Sequence, residues 1–158
     1  MFPWFPPTRL FWPPQYIDHR KRARRNHKDN GEYIMAKTLE DIQQLIQLYF
    51  DGLYNCDIAK LQQIFHAKAC YVSAVEEPLV ILTMSEYFAI VEKRISPSSL
   101  KQVRQDKICS IQILSETTAV VSLECVIEPK YFYDVLTLVF SENRWWIISK
   151  VFHYKLLK

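Results

Sequence analysis

Between Leu39 and Tyr54 the apolar residues Leu39, Ile42, Leu45, Ile46, Tyr49 and Leu53 recur at helical spacing and fall on one face. Thr38 precedes them, with Asp41 three residues on, so a capped helix is predicted to begin there. Asn55-Cys56 makes a turn, and Asp57 caps a second helix on which Ile58, Leu61, Ile64 and Phe65 share a face and which His66 ends. Ala69–Ala74 and Leu79–Leu82 read as short strands around Glu76-Glu77-Pro78. Thr83 and Glu86 repeat the capping pattern ahead of a third helix, whose Met84, Tyr87, Phe88 and Val91 point one way. A loop follows at Ser96-Pro97-Ser98-Ser99.

After this loop the period changes from 3.6 to two. Ala119, Val121, Leu123, Cys125 and Ile127 alternate with polar residues, as do Phe132, Asp134, Leu136, Leu138 and Phe140. Ser141-Glu142-Asn143-Arg144 reads as a hairpin turn into Trp145–Tyr154. With Lys107–Leu114, these segments make about four long antiparallel strands after three helices. That order predicts one α+β domain over residues 35–158, with a strongly bent antiparallel sheet wrapping the three helices into an open-mouthed cone.

Composition separates the start of the chain from the rest. Residues 1–14 hold five prolines among large aromatics, and a basic run follows at His19–Arg25. Residues 1–34 carry seven Lys/Arg against three Asp/Glu, whereas residues 35–158 carry thirteen against fourteen. The basic balance thus belongs to the first 34 residues, which are expected to be a disordered tail with a polar turn at Asn26–Gly31. Gly31–Met35 can be encoded as a ribosome-binding sequence followed by a start codon, so translation is expected to begin at Met35. The near-neutral remainder gives no electrostatic reason to expect nucleic acid or anionic lipid as a partner. No apolar run is long enough to span a membrane, and no cleavable signal peptide is visible. The four cysteines form no CxxC pair, so a structural zinc site is not expected. The chain has no glycine-rich phosphate loop or metal-cluster pattern, so no metal or other cofactor is expected. Reduced thiols in the cytoplasm are the default, with a Cys109–Cys125 bridge left open.

Three segments then carry a resemblance. Tyr49–Asp57, YFDGLYNCD, is similar to the end of the first helix and the Asp-led second helix of the nuclear transport factor 2-like superfamily. Leu61–Val72, LQQIFHAKACYV, and Phe140–His153, ending in WIISKVFH, resemble its first strand and closing hairpin. The ending looks nearest to the branch named for lumazine binding, beside the SnoaL-like and ketosteroid isomerase-like proteins. The resemblance covers about residues 36–156. It implies a cystatin-like α+β roll and a homodimer, and the fold itself hosts many unrelated functions.

Ketosteroid isomerase-like members use a tyrosine on the first helix, a carboxylate base near the first strand and an acid on the sheet. Tyr49 falls at the tyrosine position, while the other two fall on Ser73 and Leu136. Leucine cannot donate a proton and serine is no base unaided, so steroid-type isomerisation is not expected. Asp134 is an odd carboxylate on an apolar strand face and needs a partner. Pairing across the Ser141–Arg144 turn is expected to bring it to His153, as an acid–base pair with Tyr49 as a donor. Ser73, Tyr87, Phe132, Leu136 and Ser149 are the expected pocket lining. Lys150 is expected on the outer face, against Glu124 or Glu128. Of Trp145 and Trp146, one should point inward and one outward. Two functions remain open: a non-catalytic module that binds a small hydrophobic or aromatic molecule or a second copy, and a cofactor-independent lyase, isomerase or cyclase.

Overall fold

A computed structural model describes residues 17–157, with their side chains from residue 31 onward. The chain divides into two compact units, Met1–Thr38 and Leu39–Lys158. In the first, the described backbone is helical from Ile17, as part of helix α1 (Ile17–Asn55). Neither the turn expected at Asn26–Gly31 nor the helix start expected at Thr38 interrupts it. The described backbone of residues 17–34 is helical. These residues contain no proline and hold four Arg and two Lys, which favour the helix, against one Gly31 that disfavours it by about 1 kcal/mol. The expected Pro-rich tail at residues 1–14 lies outside the described residues.

The second unit has the expected architecture. Three helices accompany a curved, unclosed sheet of six strands in the order β2-β1-β6-β5-β4-β3. Helix α1 buries Ile42, Leu45, Ile46, Tyr49, Phe50 and Leu53, the face its periodicity marks. It turns at Cys56, whose φ of 51° is left-handed, into α2 (Ile58–Ile64), whose Lys60 amide donates to Asp57 Oδ1 at 3.1 Å. The two helices can approach because residue 52 is glycine: a Cβ there would lie 2.6 Å from Leu61 Cδ2. Strands β1 (Phe65–Ser73) and β2 (Val80–Thr83) form a hairpin, and α3 (Met84–Glu92) opens with the expected Thr83–Glu86 capping box. His66 is thus in β1, not at a helix end, because α2 stops at Ile64.

Strands β3 (Asp106–Ser115), β4 (Thr118–Ile127), β5 (Lys130–Ser141) and β6 (Arg144–Leu156) form an antiparallel meander, and β6 then pairs parallel to β1. The four cysteines are free, with Cys109 exposed and Cys125 buried.

One irregularity decides which residues face inward. The β5–β6 hairpin turns through Glu142 and Asn143, both at positive φ, and sets Ser141 opposite Arg144 and Leu138 opposite Ile147. Between Thr137 and Leu138 the register shifts by one: Thr137 faces Ser149, and Ile148 has no partner. A one-residue bulge of this kind exchanges the two faces of everything beyond it. Trp145 and Ile147 are buried before the bulge, and Lys150 and Phe152 after it. The uniform register expected from the turn would have placed His153 on the face of Asp134. The bulge turns His153 outward instead.

Candidate functional site

Three side chains that no sequence motif joins meet beneath the sheet. Tyr49 comes from the buried face of α1. Asp134 stands on β5 between the apolar Phe132 and Leu136. Lys150 stands on β6 opposite Leu136, a diagonal neighbour of Asp134, which itself faces Phe152. The Tyr49 hydroxyl donates to Asp134 Oδ2 at 2.6 Å, and Lys150 Nζ donates to the same oxygen at 2.7 Å. Lys150 Nζ also donates to the Tyr49 hydroxyl, closing a triangle. The side chains of Lys150 and Asp134 are 3% and 0% exposed.

Rings box the ammonium in. Lys150 Nζ lies 5.1 Å from the ring centre of Tyr49, 5.2 Å from Phe152, 5.7 Å from Phe132 and 5.9 Å from Tyr71. The second oxygen of Asp134, Oδ1, is buried without a hydrogen-bond partner. Burial, followed by the Asp134 charge, holds the Tyr49 hydroxyl well above its usual pKa, so it stays a neutral donor. Burial and Asp134 likewise push the nearby Cys125 thiol up to about 12, which keeps it protonated and inert.

On the other side of the rings is a cavity of about 640 Å³, within the size range of small-molecule sites. Tyr71, Phe132 and Phe152 belong both to its wall and to the box around Lys150, so they form a partition one ring thick. Val80 and Leu82 of β2 and Ile90 beside α3's end add apolar wall, while Arg94, Lys130, Glu76 and Glu128 supply charge. The Tyr154 hydroxyl donates to Glu76, and Lys130 Nζ sits 3.8 Å over the Tyr154 ring.

The residues expected to form a site distribute as follows. Ser73 and Phe132 line the cavity. Tyr87 and Leu136 do not: both are core residues, at 1% and 0% exposure, and Tyr87 stacks on Tyr71 at 4.4 Å. Ser149 shares the outer sheet face with exposed Val151 and is also absent from the wall. Asp134 and Tyr49 meet, but the expected Asp134–His153 pair does not form. His153 is exposed opposite Tyr133, on the other face of β6. Its place beside Asp134 is taken by Lys150, which was expected to point outward. The partner that sequence reasoning missed therefore carried one signal, a lysine between apolar neighbours on a buried-type strand. Tyr131, not Lys150, hydrogen-bonds Glu124, at 2.7 Å. Trp145 is buried and Trp146 half-buried beneath the Arg144 guanidinium.

This geometry sits in a recognisable frame. Residues 37–153 match the family described as "Putative lumazine-binding". The chain belongs to that family. Similar solved structures described as nuclear transport factor 2-like carry the same fold. A nuclear transport factor 2-like protein of unknown function from Silicibacter pomeroyi superposes with a TM-score of 0.69 at 22% identity, over 77% of this chain and 98% of its own. A ketosteroid isomerase-like protein from Erwinia carotovora gives 0.57 at 13% identity, over 73% and 95%. A cystatin-like fold protein from Burkholderia xenovorans gives 0.57 at 16%, over 75% and 92%. Among curated proteins, none matches the chain. No helix among the described residues is long and apolar enough to cross a membrane, and these residues contain no cluster of three or more His, Cys, Asp or Glu suited to a metal ion.

Proposed function

We propose that this member of the lumazine-binding-type family is a non-catalytic module that holds a small flat molecule in the 640 Å³ cavity. One observation carries the reading: the single carboxylate placed like an acid–base group, Asp134, is outside the cavity. It is sealed behind the Tyr71–Phe132–Phe152 partition with both Tyr49 and Lys150 bound to one of its oxygens. General acid–base catalysis requires hydrogen-bond reach to the substrate, directly or through one water. The rings deny Asp134 that reach, whereas they offer a ligand broad apolar faces to stack on. The family's description names lumazine, a flat bicyclic ring, which matches a wall of this kind.

The alternative of an isomerase or lyase built on an Asp–His pair loses its second residue, since His153 faces away. A thermal-shift screen of metabolites tests the binding reading. A ligand that raises the melting temperature of the wild type should lose that effect in Ile90→Trp, which fills the cavity from its exposed rim. A hit that binds Ile90→Trp unchanged, or turnover of the hit by the wild type, would count against the reading.

A further inference from the structure

The wall of the cavity is not chemically uniform. At one place two donors lie together with no acceptor to satisfy them. Arg94, just past the end of α3, lines the cavity beside the Tyr71 hydroxyl. Among the described residues no carboxylate pairs with Arg94. A guanidinium has only N–H groups to offer, and the Tyr71 hydroxyl can donate its O–H. The Tyr71 O–H donates to no protein acceptor among the described residues. The hydroxyl stays protonated: burial raises its pKa to about 12 despite the opposing Arg94 charge.

The acids of the wall are differently placed. Glu76 already accepts from Tyr154, whose ring lies under the Lys130 ammonium, and Glu128 is exposed. The cavity thus presents two donors without an acid paired to them, Arg94 and Tyr71, on a wall that also carries the rings of Phe132 and Phe152.

We propose that the ligand is a ring-bearing organic anion, a carboxylate above all, whose charged group is held by the Arg94 guanidinium and the Tyr71 hydroxyl while its ring lies on Phe132 and Phe152. The proposal rests on the binding reading above and adds the ligand's charge. A planar guanidinium matches two carboxylate oxygens, and a charge-assisted hydrogen bond is roughly twice as strong as a neutral one. A neutral amide of the same shape keeps one acceptor oxygen but loses the charge and replaces the other oxygen with a donor, so it binds more weakly.

Matched pairs test this: benzoate and benzamide, 2-naphthoate and 2-naphthamide, indole-3-acetate and indole-3-acetamide, titrated into the full chain by calorimetry. At least one carboxylate should bind about ten-fold or more tightly than its amide. Arg94→Gln should bring that pair to parity, and Tyr71→Phe, which keeps the ring, should narrow the gap. Should one variant fail to fold, the other and the wild-type pairs still decide. Equal binding of acid and amide by the wild type, or a preference that survives Arg94→Gln, overturns the anion assignment and leaves the cavity reading intact. Binding of neither member of any pair overturns both.

Discussion

The two sides of the Tyr71–Phe132–Phe152 partition hold charged groups in opposite circumstances. Behind it, Lys150 and Asp134 are fully withdrawn from water and bound to each other and to Tyr49. In front of it, Arg94 lines an open cavity and forms no ion pair among the described residues. The contrast teaches where function and stability part company. A buried ion pair costs several kcal/mol of desolvation per ion, which close attraction and hydrogen bonds only roughly offset, so it adds little net stability. It does fix a geometry, because neither partner can be moved alone. An unpaired cation at a cavity wall costs much less, since water solvates it until a ligand arrives. The triad is built to hold α1, β5 and β6 in one register, and the cavity is built to exchange its contents.

The contrast breaks most violently if one member of the triad is removed. Lys150→Met leaves the Asp134 carboxylate buried with Tyr49 as its sole donor. It should lower the unfolding free energy by about 3–5 kcal/mol. The triple variant Tyr49→Phe/Asp134→Leu/Lys150→Met removes every polar group at once and should recover most of that loss. Urea unfolding of both variants checks the claim. A single variant as stable as the wild type would mean that the pair is solvated. A triple variant no better than the single one would mean that the pair is a net source of stability.

A smaller effect should appear at high pH. Tyr71 sits in the partition, and Tyr49 and Tyr87 lie buried near it; burial is the largest cause raising each pKa above its ordinary value of 10.0, to about 12 for Tyr71. The folded state therefore keeps protons that the unfolded state gives up above pH 10. Their stabilising effect is complete below that pH and is lost as pH rises through the folded values. From pH 10 toward 12, stability should fall by about 1.4 kcal/mol per pH unit for each such tyrosine. Tyrosinate absorbance followed alongside the urea midpoint checks this. Early ionisation of all tyrosines near pH 10 with no loss of stability would show that the partition is wet.

How far the residues announced this arrangement depends on the range over which each signal acts. The helix faces of α1, α2 and α3 and the Thr83–Glu86 box were legible because periodicity and capping are local. So was the meander, whose β4 and β5 alternate cleanly, and so was the need for a partner at Asp134. The partner's identity was not, because it depends on one bulge at Ile148 that nothing in TLVFSENRWWIIS marks as different from its neighbours. Bulges arise from how a strand must bend to satisfy both of its neighbours, here β5 on one side and parallel β1 on the other. The cavity was partly legible for the same reason. Ser73 and Phe132 sit on strands whose phase is unambiguous, while Arg94 lies past a helix end, where periodicity no longer says which way a side chain turns.

The bulge also supplies the most discriminating comparison of all, on a residue expected to do nothing. His153→Ala should change the unfolding free energy by no more than about 0.5 kcal/mol, because the imidazole is exposed on the outer face, 6.3 Å from the Tyr133 ring. It should also leave ligand affinity unchanged, since His153 is absent from the cavity wall. Without the register shift the roles of Lys150 and His153 would be exchanged, and His153→Ala would strand the Asp134 carboxylate as Lys150→Met is expected to do. Running the two variants side by side therefore reads out the phase of β6 without a structure. A loss of several kcal/mol in His153→Ala, with Lys150→Met silent, would place the histidine inside and dissolve the triad.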